Sequence, residues 1–415
     1  MILIAIALLA VFVAWNLGAN DVANSMGTSV GSKALSLRQA LIVAGGLEFL
    51  GAVLFGQAVA ATLATEITNP ELFRDRPQTL LLGMIAVLLA AGIWLQIATR
   101  LGLPVASSHA VVGAIAGFSG LAAGIDAIAW GKIGQIAIAW ILTPLISGIV
   151  AAVFYGVVRR WILQQPQPLL QLQEWIPWLS VILLGVFGAI VLPELVTKAP
   201  YLDLPSHTLS LAIGGGGAVG LTLFSWQRLQ RAQQPEITPP GQKKHFSLLE
   251  GQLARFQVLS ACFVAFAHGS NDVGNAIAPL AAVVYILSTN TVPLEPFAIP
   301  LWIMLVGGVG IVLGLGIQGK NVITTIGEDI IPLQPSSGFC AELATAATIL
   351  VASRLGFPVS TSHALVGAVV GIGLLQSREN VRFGTLKSVI LAWAVTLPIA
   401  AMISAIAFTV LQLVF

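Results

Sequence analysis

The sequence predicts an all-α integral membrane protein with about 10–12 transmembrane helices, arranged as duplicated, inverted repeats with broken or re-entrant half-helices. Three observations predict it: scarce charge, a succession of long apolar runs, and a repeat that relates the two halves. Of 415 residues, 57% are hydrophobic and only 9% charged, with 19 Lys and Arg against 17 Asp and Glu. Mean hydropathy is +0.93. A soluble chain carries roughly 25% charge, because its surface has to stay wet. This composition excludes a soluble enzyme, a disordered chain and a nucleic-acid binder. A β-barrel would alternate polar and apolar residues, whereas these runs are uniformly apolar.

Apolar runs cover 2–18, 39–65, 79–99, 103–124, 133–158, 175–196, 207–227, 253–268, 276–288, 297–318, 338–354, 357–376 and 385–415. Several are too short or too interrupted by Gly and Pro to cross a bilayer alone. The opening MILIAIALLAVFVAW has no charged leader region and runs straight into a polar motif, so it reads as a first membrane helix, not a cleaved signal. The 42 glycines suit close helix packing. Cys262 and Cys340 sit in apolar stretches and read as small core residues. The longest polar stretch, from Arg228 to Gln252, contains PEITPPGQKKHF and reads as a linker. The organisation is then a membrane half at 1–228, a linker at 229–252 and a second membrane half at 253–415. Basic residues outnumber acids in the linker, which places it in the cytoplasm. Arg159-Arg160 falls on the same face, two crossings earlier.

The repeat is explicit. LGLPVASSHAVVGAIAG (101–117) returns as LGFPVSTSHALVGAVVG (355–371), with eleven of seventeen positions identical. Upstream, WNLGANDVANS (15–25) matches FAHGSNDVGNA (266–276), so the motif regions 15–36 and 266–287 correspond. Duplicated halves are a plan of secondary transporters, whose substrate sits near the midplane between them. Inversion of the repeats is an expectation from that class.

Each upstream motif sets an Asp and two Asn inside an apolar run: Asn20, Asp21 and Asn24, then Asn271, Asp272 and Asn275. Intramembrane acids are costly and functional by default. Carboxylate, amide and carbonyl oxygens are the ligands of hard cations. The neighbouring Gly18, Gly27 and Gly269 would let the helix unwind and present carbonyls. The bland alternative is a polar clamp between helices. In the second motif, Pro104 and Pro358 break the chain ahead of Ser107-Ser108 and Thr361-Ser362. Hydroxyls followed by a small apolar run predict a capped half-helix, whose N-terminus attracts an oxyanion. Capping without a ligand is the bland alternative here. His109 and His363 are matched, and a neutral ring holding a carbonyl is as good a reading as a ligand or proton carrier. His268 lies near the Asn-Asp motif of the second half only. Glu48 and Glu342 lie deep in apolar runs and are candidates for further cation ligands, whereas Glu66 and Glu328 lie near helix ends. Gly215 to Gly220 fits GxGxxG, but no strand precedes it and close helix packing explains it.

An anion site flanked by two aspartates would repel its ligand, and no Lys or Arg is embedded in either motif. Cations, or protons on the aspartates, would have to compensate, which makes cation and anion binding mutually dependent. No organic or metal cofactor is called for.

GANDVANSMGTSVGS (18–32), HGSNDVGNAIAP (268–279) and the duplicated PVxSSH and PVSTSH resemble the inorganic phosphate transporter family over essentially the whole chain. The resemblance implies import of inorganic phosphate in symport with Na⁺ or H⁺, and no enzymatic activity. By the same carry-over, Asn20, Asp21, Asn24, Asn271, Asp272 and Asn275 would serve the cations, and Ser107, Ser108, Thr361 and Ser362 the phosphate. Glu48 and Glu342 fall where eukaryotic members carry essential glutamates. Those members have a further acid where this chain reads Leu81-Leu82-Gly83-Met84, which bears on cation stoichiometry. The short linker suggests a bacterial-type chain of the inner membrane, or a plastid-envelope one. Some relatives carry sulfate, so a sulfate permease is a rival, and an anion channel a more distant one. A homodimer is compatible with the class, with no interface specified by the sequence.

Overall fold

The structure is a computed structural model that describes residues 2–101, 105–197, 206–233, 243–326, 333–377 and 381–415. Thirteen α-helices lie within them: α1 (Ile2–Gly31), α2 (Leu37–Phe55), α3 (Gln57–Thr65), α4 (Pro77–Arg100), α5 (Ser107–Ala123), α6 (Trp130–Val158), α7 (Pro168–Thr197), α8 (Ser206–Gln233), α9 (Lys243–Thr289), α10 (Leu301–Ile326), α11 (Pro335–Arg354), α12 (Thr361–Gln376) and α13 (Phe383–Val414). Ten contain stretches long and apolar enough to cross a membrane, while α5 and α12 are shorter apolar helices. The protein is an integral membrane protein. Its outward faces carry Leu8, Ile141, Val153, Trp178, Leu211 and Leu413, all more than half exposed, as a lipid-facing surface requires.

Two expectations are corrected. The runs 253–268 and 276–288 are one helix, α9, which passes through the second Asn-Asp motif without a break. Nor does α1 unwind at the first motif. The glycines there serve close approach. A Cβ on Gly18 would lie 2.0 Å from the Ile311 carbonyl oxygen, and one on Gly269 would lie 2.0 Å from that of Glu48. Helices brought this near need a residue with no side chain at the crossing.

The same contacts occur once per half. Gly18 seats α1 on α10, and Gly269 seats α9 on α2. Reciprocally, Gly314 of α10 abuts the Trp15 carbonyl, and Gly51 of α2 abuts the Phe266 carbonyl. Gly113 and Gly117 of α5 press on the backbone of Leu397 and Ala401 in α13. Their repeat partners, Gly367 and Gly371 of α12, press on Pro144 and Gly148 in α6. Each half-helix therefore packs against the long helix that follows the other half-helix. The pair α7 and α8 pack chiefly on one another.

The polar stretch after Arg228 is helical at both ends, since α8 continues to Gln233 and α9 begins at Lys243. Residues 234–242, Pro104 and Glu328 lie outside the described residues.

Candidate ion and anion site

Two helix crossings and two helix starts build the site. On α1, Asn20 and Asn24 donate their amide N–H groups to Asp21 Oδ1, at 3.3 and 3.1 Å. Asp21 Oδ2 is buried without a hydrogen-bond partner. On α9, Asp272 Oδ2 accepts from the Thr361 hydroxyl at 3.2 Å, and Oδ1 is unpartnered. Asn275 donates to Ser107 Oγ at 3.4 Å, and its own Oδ1 is unpartnered. Asn271 donates to Ser353 Oγ at 2.9 Å and to the Phe357 carbonyl at 3.1 Å, which ties the motif to the loop before α12. All of these residues but the partly buried Phe357 are buried. Native interiors seldom leave buried polar atoms unpaired. Here Asp21, Asn271, Asp272, Asn275 and Ser108 each hold an orphan oxygen, a set of hard ligands and hydroxyls suited to a bound ion.

The half-helix starts differ from the capping expectation in one respect. α5 begins at Ser107 behind Ala106, which supplies no side-chain cap. α12 begins at Thr361, and Ser360 is its cap, accepting from the His363 N–H. Ser107, Ser108, Thr361 and Ser362 therefore stand in first turns, beside N–H groups that have no intrahelical acceptor. Ser107 and Thr361 turn their hydroxyls to the Asn-Asp motif of α9 beside the positive helix ends, while the Ser362 hydroxyl pairs with that of Ser360 at 2.8 Å. Thr361 to Asp272 and Ser107 to Asn275 join the phosphate-type residues directly to the cation-type residues.

The structure adds His268, which the sequence placed only near the motif. Its Nδ1 lies 3.1 Å from Glu48 Oε2, its Nε2 2.9 Å from Asp272 Oδ2, and Nε2 is 4.0 Å from Asp21 Oδ2. One ligand atom each from Asp21, His268 and Asp272 fall within 4.8 Å of one another. Glu48 also accepts from the Ser25 hydroxyl at 2.9 Å. Its surroundings are thus the central cluster, with His268 as immediate partner. The signal available in the sequence was the i, i+4 spacing of His268 and Asp272.

Glu342 sits apart, beside the residues two turns further along α1. The hydroxyls of Thr28 and Ser29 and the amide of Gln257 donate to its Oε1, and the Ser260 hydroxyl donates to Oε2. This cage of one carboxylate and four polar side chains joins α1, α9 and α11 and is fully buried. Sequence reasoning found the acid and missed the four donors, which come from two other helices.

The matched histidines form a crossed pair. His109 Nδ1 lies 3.2 Å from the Trp393 carbonyl oxygen, and His363 Nδ1 3.3 Å from that of Trp140. The rings meet edge to face with centroids 4.8 Å apart. They hold the two half-helix starts against each other through backbone carbonyls of α6 and α13.

A family model described as the phosphate transporter family matches residues 17–404. The chain belongs to the phosphate transporter family. A Pyrococcus abyssi protein assigned as a phosphate permease is 37% identical over 409 residues, covering 98% of this chain and 97% of its own. The inorganic phosphate transporter 2-1 of Arabidopsis thaliana, described as chloroplastic, is 37% identical over 414 residues, covering 95% of this chain and 70% of its own. A solved structure titled the sodium-dependent phosphate transporter superposes with a TM-score of 0.90 at 34% identity, covering both chains completely. This membrane protein is a transporter and not an enzyme.

Proposed function

We propose that the protein imports inorganic phosphate in symport with Na⁺. Asn20, Asp21, Asn24, Asn271, Asp272 and Asn275 hold the cations. Ser107, Ser108, Thr361 and Ser362 hold the phosphate. The observation that carries the reading is the joining of the two sets, through Thr361 to Asp272 and Ser107 to Asn275, beside buried orphan oxygens. Two carboxylates within 4.8 Å repel by roughly 3–4 kcal/mol at an effective dielectric near 20, before any anion arrives. Bound cations remove that repulsion, so each ligand favours the other. The sodium dependence stated for the similar solved structure favours Na⁺ over H⁺.

Glu342 with Thr28, Ser29, Gln257 and Ser260 is a second cation site, since turning the hydroxyls presents their oxygens inward. Glu48 is a coupling residue that acts through His268. The matched contacts of the two halves support inverted repeats, with each half-helix opening toward its own face of the membrane. The protein works in the inner membrane of a bacterium or in a plastid envelope.

The decisive test is radiolabelled phosphate uptake into proteoliposomes under an inward Na⁺ gradient, an inward H⁺ gradient, or neither, with excess sulfate as competitor. Accumulation driven by Na⁺ and indifferent to sulfate is the expected result. Accumulation driven only by H⁺ would keep the site and change the ion, and inhibition by sulfate would change the substrate.

A further inference from the structure

We infer that Lys132 is the outer-face docking residue that first receives the anion and passes it toward Thr361, with Glu66 as the carboxylate the anion displaces. This rests on the phosphate reading above. α6 ends at Arg159-Arg160, which the excess of positive charge places in the cytoplasm, so its first turn faces the other side of the membrane. Lys132 is in that first turn. A cation there opposes the positive end of the helix dipole, so the helix itself does not favour it.

Its surroundings account for it. Lys132 Nζ pairs with Glu66 Oε2, with the two side chains 22% and 36% exposed. The same ammonium lies 5.4 Å from the centre of the Phe357 ring, within cation–π range. Phe357 belongs to the loop that leads into α12, four residues before Thr361, and its carbonyl accepts from Asn271. A partly exposed cation thus rests on the residue whose backbone is tied to the buried motif. Exchange of Glu66 for an incoming anion at Lys132 loosens the hold on Phe357 and leaves the anion beside the half-helix start.

The repeat shows that this is not part of the shared scaffold. The register that pairs Trp140 with Trp393 puts Thr385 opposite Lys132, and the register of the second motif puts Leu103 opposite Phe357. Neither equivalent residue is charged, and the nearest cations at the start of α13 are Arg382 and Lys387. A fixed cation at the outer mouth suits uptake at low outside concentration, where electrostatic attraction raises encounter rates.

The test measures phosphate uptake against outside phosphate at saturating, constant Na⁺, with choline chloride used to vary ionic strength. Lys132→Ala should raise KM about three- to tenfold, the range set by loss of one partly exposed charge contact, with Vmax little changed. Lys132→Arg should restore KM, and Glu66→Gln, which frees the lysine, should lower it. Wild-type KM should rise with choline chloride while that of Lys132→Ala stays flat, a difference that a purely structural role would not produce. Should Lys132→Ala fail to insert, Lys132→Arg against Glu66→Gln gives the same comparison. Unchanged KM and unchanged salt response in Lys132→Ala, or a raised KM in Glu66→Gln, would overturn the inference. Absence of phosphate uptake by the wild type would instead overturn the phosphate reading.

Discussion

Asp21 and Asp272 are buried, close together and each left with an unpaired oxygen, so their replacement separates charge from shape. Asp21→Asn or Asp272→Asn should abolish Na⁺-driven phosphate uptake while the protein still inserts and runs as a folded species in detergent. Normal transport by both variants would remove them from the cation site. Ser107→Ala combined with Thr361→Ala should raise the phosphate KM by about thirtyfold, since each of the two hydroxyls lost from an anion is worth roughly a kcal/mol. His268 permits a sharper separation of roles. It lies against Glu48 and Asp272, and its repeat counterpart is Leu17. His268→Leu leaves Glu48 buried without its ring partner and should cost about 3–5 kcal/mol of stability. Adding Glu48→Leu should recover most of that loss in thermal unfolding, without recovering transport. A double variant as unstable as the single one would mean that the pair is not a charge-compensating unit.

At the scale of the helix, glycine marks where backbones touch. Gly18→Ala would drive a methyl group into the Ile311 carbonyl and Gly269→Ala into that of Glu48. Either should destabilise by about 1–3 kcal/mol, the usual cost of overpacking, and lower the melting temperature in detergent. Gly46→Ala on α2 meets nothing within 4 Å and should leave it unchanged. Equal behaviour of all three would show that the close crossings relax freely. These positions also explain a misreading. Glycine beside a polar motif in a membrane helix is compatible with unwinding or with close packing, and local sequence does not separate them. The neighbour across the crossing decides, and for Gly18 that neighbour is nearly three hundred positions away in the chain. The helix starts were more legible. Each follows a proline-bearing break, and α5 and α12 begin at Ser107 and Thr361, the hydroxyl residues named for the anion. The caps were off by a residue, because Ala106 and Ser360 take the cap positions and the hydroxyls move into the first turn.

For the whole molecule, the proposed mechanism is a linkage between ions held by both halves. If cation and phosphate share one site region, Na⁺ should tighten phosphate binding and phosphate should tighten Na⁺ binding by the same factor, within about 5- to 150-fold. Calorimetric titration of the detergent-solubilised protein, in each order of addition, measures both factors. Unequal factors would indicate a further coupled ion, and no coupling at all would sink the symport scheme. The linkage depends on crossed packing: α5 lies on α13 and α12 on α6, so motion of either half-helix is felt in the other half. His109 and His363 make that crossing explicit, each lying against a carbonyl from the opposite half.

The sequence by itself determined the membrane class, the two-fold duplication, and the twelve residues that carry the candidate chemistry. Composition dictates the solvent a chain can tolerate, and a polar group inside an apolar run is conspicuous wherever it folds. Only the tertiary structure decided how those residues are grouped. It drew Glu48 into the central cluster through His268, and set Glu342 in a separate cage built from Thr28, Ser29, Gln257 and Ser260. It also laid Lys132 over Phe357. These partners are brought together by helix crossings between residues far apart in the chain. Local pattern reports which face of a helix is apolar, but which helix lies opposite is settled by how all thirteen pack at once.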